Sequence, residues 1–274
     1  MLTTLGNVIK DAHASASAKL PAGLVLSLAA YGIHPQSFLR ELIGTVIMIG
    51  FTFPAGKWIG ADSLPVAWAC HAIGVILADK IGGGYHVNPA VSTTMYVLGE
   101  VDYNECYARI AGAMAGGILS FPFYLMVTDA TGLTPLGGPD FSPEISVDAF
   151  ISECVATCLL LLAIFILNWE MHFGKFHYYI KQFLTALAIR SLIEFFPTAG
   201  PALNPMLGTA WAIFATGKIP DDPAHFFVYW VGCCLGGFIA ALLYAIYAGK
   251  EICGKKLPIG PFKKPKVSSD KKKK

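Results

Sequence analysis

The chain has 274 residues and a formal net charge of +2 at pH 7. Hydrophobic residues make up 55% of it and charged residues 14%, and its mean hydropathy is +0.57. Soluble domains carry about 25% charged residues, so the composition excludes an ordinary soluble domain and predicts a membrane protein. We expect the lipid bilayer as its surroundings and no nucleic-acid partner.

Residues 1–37 precede the first long apolar run and are predicted to form a cytosolic or interfacial extension. The stretch from Leu20 to Ile33 is apolar but short, and Pro21 and Gly23 interrupt it. It fits the core of a signal peptide, an interfacial helix or an early extension of the first span. We favour an uncleaved interfacial segment, because cleavage would leave a luminal N-terminus and contradict the charge distribution described below.

Six apolar runs have the length that a membrane-spanning helix needs, which is about 20 residues. They lie near 38–54, 64–80, 105–127, 147–168, 178–195 and 225–248. Two further apolar pieces, near 88–98 and 204–216, are too short to cross alone, and each begins at an Asn-Pro pair. Asn caps the first helical turn and Pro suits the first helical position. We therefore predict two half-helices that begin inside the membrane.

The order of these pieces repeats. Glu41-Leu-Ile-Gly-Thr45 opens the first span and Glu153-Cys-Val-Ala-Thr157 opens the fourth. Three spans and a half-helix occur twice, and the odd number of crossings inverts the second copy. The predicted fold class is an all-α membrane protein with six transmembrane helices and two re-entrant half-helices in an inverted repeat. The membrane domain covers 38–248, with repeats at about 38–127 and 147–248, and 249–274 form a basic tail.

Positive charge predicts the orientation. The loop near 128–146 contains Asp129, Asp140 and Glu144 but no Lys or Arg. The opposite side carries Lys10, Lys19, Lys80, Lys175, Lys181 and the lysines from Lys250 onward. Because Lys and Arg concentrate in cytosolic loops, we predict that both termini are cytosolic.

The repeat and its two Asn-Pro boxes resemble the aquaporin, or major intrinsic protein, family over roughly residues 38–248. The segment Gly83-Gly84-Tyr85-His86-Val87-Asn88-Pro89-Ala90-Val91-Ser92 is similar to the family's first box, and Gly200-Pro201-Ala202-Leu203-Asn204-Pro205-Met206 is similar to its second, with changes. The Pro201-Ala202 pair, the segment His225-Phe-Phe-Val-Tyr-Trp230 and the lysine-rich tail look most similar to the unorthodox small basic intrinsic and intracellular (super-aquaporin) branch.

The boxes predict a site that excludes ions and protons. Two half-helices that meet head-on bring their positive N-terminal ends together near the bilayer midplane, where they repel cations. The amides of Asn88 and Asn204 each donate to a passing oxygen, so a water bound to both cannot easily donate along the file. The alternative is that both residues act only as helix caps. The predicted box residues are Asn88, Pro89, Ala90, Asn204, Pro205 and Met206.

The resemblance also implies a ladder of backbone carbonyl acceptors along the pore. Its members are Gly84, Tyr85, His86, Gly200, Pro201 and Ala202. His86 is expected at the cytosolic mouth, where a neutral imidazole binds solute and a charged one slows it. The alternative for His86 is a structural histidine whose ring nitrogens are satisfied by the protein.

Glu41 and Glu153 are ionisable groups inside spans, where each needs a partner. A proton relay is one interpretation. The resemblance implies the other, which we favour: each carboxylate accepts hydrogen bonds from a re-entrant backbone segment and holds its half-helix in place.

Selectivity is where the sequence departs most from its relatives. The family's constriction lies at positions that hold Trp68, Leu192, Pro201 and Leu207 in this chain. Leu207 stands where Arg is usual, so the constriction is expected to be apolar. Trp68 resembles the aromatic residue of glycerol-conducting relatives. Arg190 is a candidate substitute charge, but a pair with Glu194, one helical turn later and away from the pore, is the favoured interpretation.

Met206 replaces the small Ala that ends the usual box. Its larger, flexible thioether is expected to fill the junction between the half-helices and to shift Asn204 slightly.

The chain ends in four lysines. Lys271 and Lys272 are the fourth and third residues from the C-terminus and resemble a dilysine signal for retrieval to the endoplasmic reticulum. The alternative is a solvated basic tail that binds anionic lipid. Plasma or other internal membranes remain alternative locations.

We expect a passive channel for water or small uncharged solutes such as glycerol or hydrogen peroxide, and the resemblance implies a homotetramer. The alternative is an endoplasmic reticulum protein with the same fold and little conductance that acts through partners. An enzyme has little support, because Glu41, His71, His86 and Glu153 are separated and no metal-spaced or nucleophile–base cluster appears. We expect no cofactor and no metal.

Overall fold

The structure is a computed structural model that describes residue 32 and residues 34–52, 64–84, 86–132, 146–198 and 200–263. Predictions that fall on other residues lie outside this description. They concern nearly all of the extension 1–37, the Tyr85 carbonyl, the loop residues Asp140 and Glu144, and the tail beyond Lys263 with Lys271 and Lys272.

Six long helices and two short ones form the membrane domain. The long helices are α1 (Pro35–Thr52), α2 (Leu64–Gly82), α4 (Tyr103–Thr131), α5 (Ser146–Phe165, continued by a π-helical turn Ile166–Glu170), α6 (His177–Phe195) and α8 (Pro223–Ala248, with a π-helical segment Phe227–Gly232). The short ones are α3 (Pro89–Val97) and α7 (Pro205–Thr216). The order of long and short helices is the predicted one, and the fold is the predicted aquaporin-like all-α membrane fold.

Helix ends differ from prediction by a few residues. Helix α1 begins at Pro35 rather than at 38, since Pro is favoured in the first helical turn. Helix α4 begins at Tyr103 because the Asp102 carboxylate accepts a hydrogen bond from the Glu105 amide at 2.8 Å. Within the described ranges, Tyr103–Thr131, Val147–Glu170 and Pro223–Ala248 are long and apolar enough to cross a membrane, judged by length and composition.

Both half-helices begin at their asparagines. The Asn88 side chain accepts a hydrogen bond from the Ala90 amide at 2.9 Å, and the Asn204 side chain accepts one from the Met206 amide at 3.0 Å. The residue before each asparagine has a left-handed backbone, with φ of 52° at Val87 and 50° at Leu203. The same unusual backbone in both copies turns the chain from the extended segment into the half-helix.

Glycines allow the long helices to pack backbone to backbone. On α4, a Cβ at Gly112 would overlap the Phe38 carbonyl oxygen of α1, and one at Gly116 would lie 2.7 Å from the Leu42 carbonyl oxygen. In the second copy, a Cβ at Gly236 on α8 would overlap the Cys154 carbonyl oxygen of α5. The pairs α1–α4 and α5–α8 therefore share one packing scheme, as expected for a repeat.

After α8, part of the predicted basic tail packs against the membrane domain. A two-residue hairpin pairs β1 (Glu251–Ile252) with β2 (Lys255–Lys256). The amide of Cys253 donates to the Val97 carbonyl at the end of α3 at 2.8 Å. Lys263 pairs with Glu170 at 2.6 Å. The hairpin thus contacts the end of the first half-helix, and Lys263 binds the end of α5.

Met206 packs against α4. Its side chain is fully buried, and its sulfur occupies the space that a Cβ at Gly117 would need. The Asn204 side-chain oxygen accepts a hydrogen bond from the amide two residues later and so caps α7. Asn88 caps α3 in the same way. Met206 therefore packs toward α4, and its expected filling of the junction between the half-helices stays a prediction.

This packing predicts coupling between Met206 and Gly117. Met206→Ala leaves a cavity and is expected to cost about 2–5 kcal/mol of unfolding free energy. Gly117→Ala crowds the sulfur and is expected to cost about 1–3 kcal/mol. In the double variant the new methyl group occupies part of the vacated space, so the total loss should be smaller than the sum.

Unfolding in detergent measures these losses. Leu119→Ala, on the exposed side of α4, serves as the control and should have little effect. Additive losses in the double variant would contradict direct contact between the two positions.

Candidate functional site

A cavity of about 740 Å³ passes both asparagine caps. At one end it is lined by Asp79 and Lys181, near the end of α2 and the start of α6. It then passes Asn88 and Asn204 and reaches Ile193, near the end of α6. Because it follows α6 for most of its length, the cavity has the extent that a pore through the bilayer requires.

The two asparagines bind each other's box at the centre of this cavity. The Asn88 amide nitrogen donates to the Leu203 carbonyl at 2.8 Å, and the Asn204 amide nitrogen donates to the Val87 carbonyl at 2.7 Å. A side-chain amide carries two N–H groups. Each asparagine therefore has one N–H beyond this crossed pair of bonds, and both residues line the cavity.

The half-helices also set the electrostatics of the centre. Both begin at the asparagines, so the crossed bonds hold the N-terminal ends of α3 and α7 close together. The N-terminus of a helix carries about half a positive charge. Two such ends at the cavity wall disfavour cations and favour the oxygen of a neutral solute.

Two fully buried carboxylates hold the extended segments that precede the half-helices. Glu41 accepts hydrogen bonds from the amides of His86 and Val87, at 2.7 and 2.6 Å. Glu153 accepts bonds from the amides of Ala202 and Leu203, both at 2.8 Å. Each carboxylate therefore satisfies two buried backbone donors at the position where the chain turns into its box.

Arg109 was missed by the sequence reasoning. Its guanidinium donates to Glu41 at 2.7 Å and to the Gly84 carbonyl at 3.0 Å, and it pairs with Glu105 at 2.8 Å. In the second copy the Cys233 thiol donates to Glu153 at 3.2 Å instead. The signal was available, because an arginine inside an apolar span needs a buried partner.

The acceptor ladder is only partly where the resemblance implied. Gly84, Pro201 and Ala202 line the cavity, but the Gly84 carbonyl also receives the Arg109 bond. Among the described residues, Gly200 is not part of the lining, and its φ of 63° marks it as a turn residue.

His86 lines the cavity with its ring fixed by the half-helix. Its Nδ1 is 3.0 Å from the Ser92 hydroxyl oxygen, and its backbone amide donates to Glu41. His86 therefore has features of both alternatives: its ring has a protein partner, as in a structural histidine, and it lines the cavity, as a pore residue does.

The predicted constriction is displaced on two helices. Pro201 and Leu207 line the cavity. Within the described part of the chain, the lining includes neither Trp68 nor Leu192, and His71 of α2 and Ile193 of α6 take their places. The Leu192 side chain packs instead against the cluster of Ala156, Leu160 and Leu203.

Arg190 also differs from expectation. Its guanidinium pairs with Glu194 at 2.8 Å, as predicted, but it lines the cavity rather than lying away from it. The reason is the packing of α6. Ala186, one turn earlier, is buried against Ala72 and Val75 of α2, so this side of α6 faces α2 and the cavity.

These features define an all-α membrane protein built from an inverted repeat around a central cavity. The chain belongs to the major intrinsic protein family, whose sequence model matches residues 34–244.

Several relatives resemble the chain over most of its length. The glycerol uptake facilitator protein-like 6 of Lactiplantibacillus plantarum is 26% identical to this chain. The alignment covers 79% of this chain and 100% of the relative. The aquaglyceroporin of Plasmodium falciparum is 27% identical over 81% of this chain and 89% of its own. The X-ray structure of the P. falciparum aquaglyceroporin superposes with a TM-score of 0.61 at 23% identity, covering 76% of this chain and 94% of that one, which supports the fold.

The carboxylate geometry predicts the effect of removing one acceptor. In Glu41→Gln and Glu153→Gln the side-chain NH2 faces a backbone N–H that has lost its acceptor. We expect each change to lower the unfolding free energy by about 1–3 kcal/mol and to reduce conductance, without creating a pH-coupled current.

Unfolding in detergent, solute flux into proteoliposomes and voltage-clamp recording check this result. Glu251→Gln is the control, since Glu251 is exposed on the hairpin after α8 and is not part of the cavity lining. A proton current in the wild type that disappears in Glu41→Gln would instead support a proton relay.

Proposed function

We propose that this chain is a passive transmembrane channel for water and small uncharged solutes, with glycerol and hydrogen peroxide as candidate solutes. The observation that carries the proposal is the pair of crossed asparagines, both of which line a cavity that follows the length of α6. The family and its relatives support the same function.

The geometry supports a simple mechanism. A solute oxygen at the centre accepts from the second N–H of Asn88 and of Asn204, while the helix ends behind them disfavour cations. A water held in this way points its hydrogens away from the centre toward both ends of the file. Because both of its lone pairs are taken by the asparagines, it donates to its neighbours but cannot accept a hydrogen from them, so proton hopping stops there.

The lining suits solutes that have both apolar and polar surface. Val75, Val91 and Leu160 present apolar groups to the cavity, and Thr185 and Gln182 add polar ones. Two of the relatives are named for glycerol, and this supports glycerol as the first solute to test.

A non-conducting protein that acts through partners is not favoured. The altered second box motivated it, but Met206 packs toward α4, and Asn204 keeps a cap of the same form as Asn88. The central cavity therefore retains both of its donors.

Finer assignments rest on the sequence. We propose that the chain belongs to the small basic intrinsic and intracellular branch, supported by Pro201-Ala202 and the lysine-rich end. We propose a division into an extension 1–37, a channel domain 38–248 and a cytosolic tail 249–274, with both termini cytosolic. Exposed apolar side chains on α4 and α5, such as Met126 and Ile151, support contact with lipid or with further subunits of a homotetramer.

Substitution of the central asparagines tests the channel. Asn88→Ala and Asn204→Ala are each expected to reduce glycerol and water flux into proteoliposomes by about tenfold, because each removes a donor to the solute. Asn→Asp variants keep the capping oxygen and separate loss of the donor from loss of the cap. The control is Asn104→Ala, an exposed residue on α4. Wild-type flux equal to that of empty vesicles would refute the channel.

We also propose an endoplasmic reticulum location, supported by Lys271 and Lys272. Changing both to Ser is expected to shift a tagged full-length chain toward the cell surface, as seen by surface biotinylation. Changing Lys264 and Lys266 to Ser removes the same charge from the tail and should leave the location unchanged. An unchanged location of the Lys271 and Lys272 variant would contradict the retrieval signal.

A further inference from the structure

A group of buried polar atoms without protein partners lies at one end of the cavity. His71 is 2% exposed, and neither of its ring nitrogens has a hydrogen-bond partner within the described part of the chain. The same holds for Nε of Arg190 and the hydroxyl of Thr52. An unsatisfied buried polar group is costly, and proteins retain such groups mainly where they serve a function or bind water or an ion.

These three residues come from three helices, α1, α2 and α6, of which α1 packs on α2 and α2 packs on α6. Helices α2 and α6 meet through Ala72, Val75 and Ala186. His71 directly precedes Ala72 on α2, and Arg190 lies one helical turn after Ala186 on α6. Both His71 and Arg190 line the cavity.

Thr52 reaches the same level from α1. A Cβ at Gly74 of α2 would overlap the Phe51 side chain, so the end of α1 packs directly on this turn of α2. Thr52 is the next residue after Phe51. All three residues, Thr52, His71 and Arg190, line the cavity.

The rest of the wall at this end is apolar. Ile189 and Ile193 of α6 line the cavity together with Pro201 and Leu207 from the second box. The charge of Arg190 is balanced by Glu194 at 2.8 Å, so the polar residues offer hydrogen bonds without a large net charge.

We propose that Thr52, His71 and Arg190 are the specificity-determining polar residues of this pore, and that they select small polyols. This inference rests on the proposed channel function. A polyol such as glycerol places its hydroxyl groups on these three side chains and its carbon chain against Ile189, Ile193, Pro201 and Leu207. Hydroxyls both donate and accept, so they match a neutral imidazole, a guanidinium and a threonine at once.

This assignment differs from the constriction expected from sequence offsets. That constriction was apolar, because Leu207 stands at its charged position and Leu192 at its polar one. Here the charge comes from the middle of α6 and the imidazole from α2, so the constriction is polar on one side. The ratio of glycerol to water permeability separates the two arrangements.

Proteoliposome swelling measures that ratio. Arg190→Leu and His71→Leu remove the polar groups at similar volume, and each is expected to lower the glycerol-to-water ratio by about tenfold. Thr52→Val removes only a hydroxyl and should lower the ratio less. Arg190→Lys and His71→Asn retain a donor and should stay closer to the wild type.

The control is Lys218→Leu, which removes an exposed positive charge on the same side as Thr52, from a residue beyond the cavity lining. Its ratio should equal that of the wild type. Because Thr52→Val is a nearly isosteric change, it tests the proposal even if the leucine variants misfold.

The outcomes distinguish this inference from the channel itself. A wild-type flux that depends on Asn88 and Asn204, with ratios unchanged in the Arg190, His71 and Thr52 variants, would overturn this inference and leave the channel intact. Absence of wild-type flux would overturn the proposed function and this inference together.

Discussion

The crossed hydrogen bonds between Asn88 and Asn204 are the contact on which the membrane domain depends. Each amide crosses to the carbonyl of the residue that precedes the other asparagine, at 2.8 and 2.7 Å. In the apolar centre of a bilayer, irregular backbone is tolerated only where its polar groups are satisfied or line a wet cavity. The crossed bonds and the carboxylates of Glu41 and Glu153 meet this requirement for both boxes at once.

The two copies meet this requirement with different chemistry. Glu41 is paired with the Arg109 guanidinium, while Glu153 receives a thiol hydrogen bond from Cys233. At the position after the Pro, the first box has Ala90 and the second has Met206, whose bulk is accommodated by Gly117. The two copies of the repeat therefore resemble each other more closely in their backbone hydrogen bonds than in the side chains around them. Such freedom is expected where the hydrogen-bond pattern is fixed by the backbone and the packing around it is adjusted locally.

Much of this architecture was predictable from the sequence. Long apolar runs, Asn-Pro pairs and the repeated Glu-x-x-x-Thr each depend on local chemistry. They predicted the helix order correctly, and both half-helices begin at the Asn-Pro pairs. The faces of α2 and α6 that line the cavity could not be predicted by counting residues back from the asparagines. Counting back to Trp68 and Leu192 assumes fixed helix rotation, but the rotation of α6 is set by the contact of Ala186 with Ala72 and Val75. Arg109 was overlooked because its partners, Glu41 and the Gly84 carbonyl, are distant in sequence.

The same packing contact links the fold to selectivity. Small residues at positions 72 and 186 let α2 and α6 approach closely, and His71 and Arg190, which lie near this contact in sequence, both line the cavity. The second half-helix, in contrast, contributes Leu207 and an apolar wall. The polar side of the proposed constriction thus comes from the long helices, while its apolar side combines Ile189 and Ile193 of α6 with the re-entrant segment. Because the centre is fixed by the crossed asparagines, the proposed selectivity residues can change on the long helices without disturbing the proposed site of ion and proton exclusion.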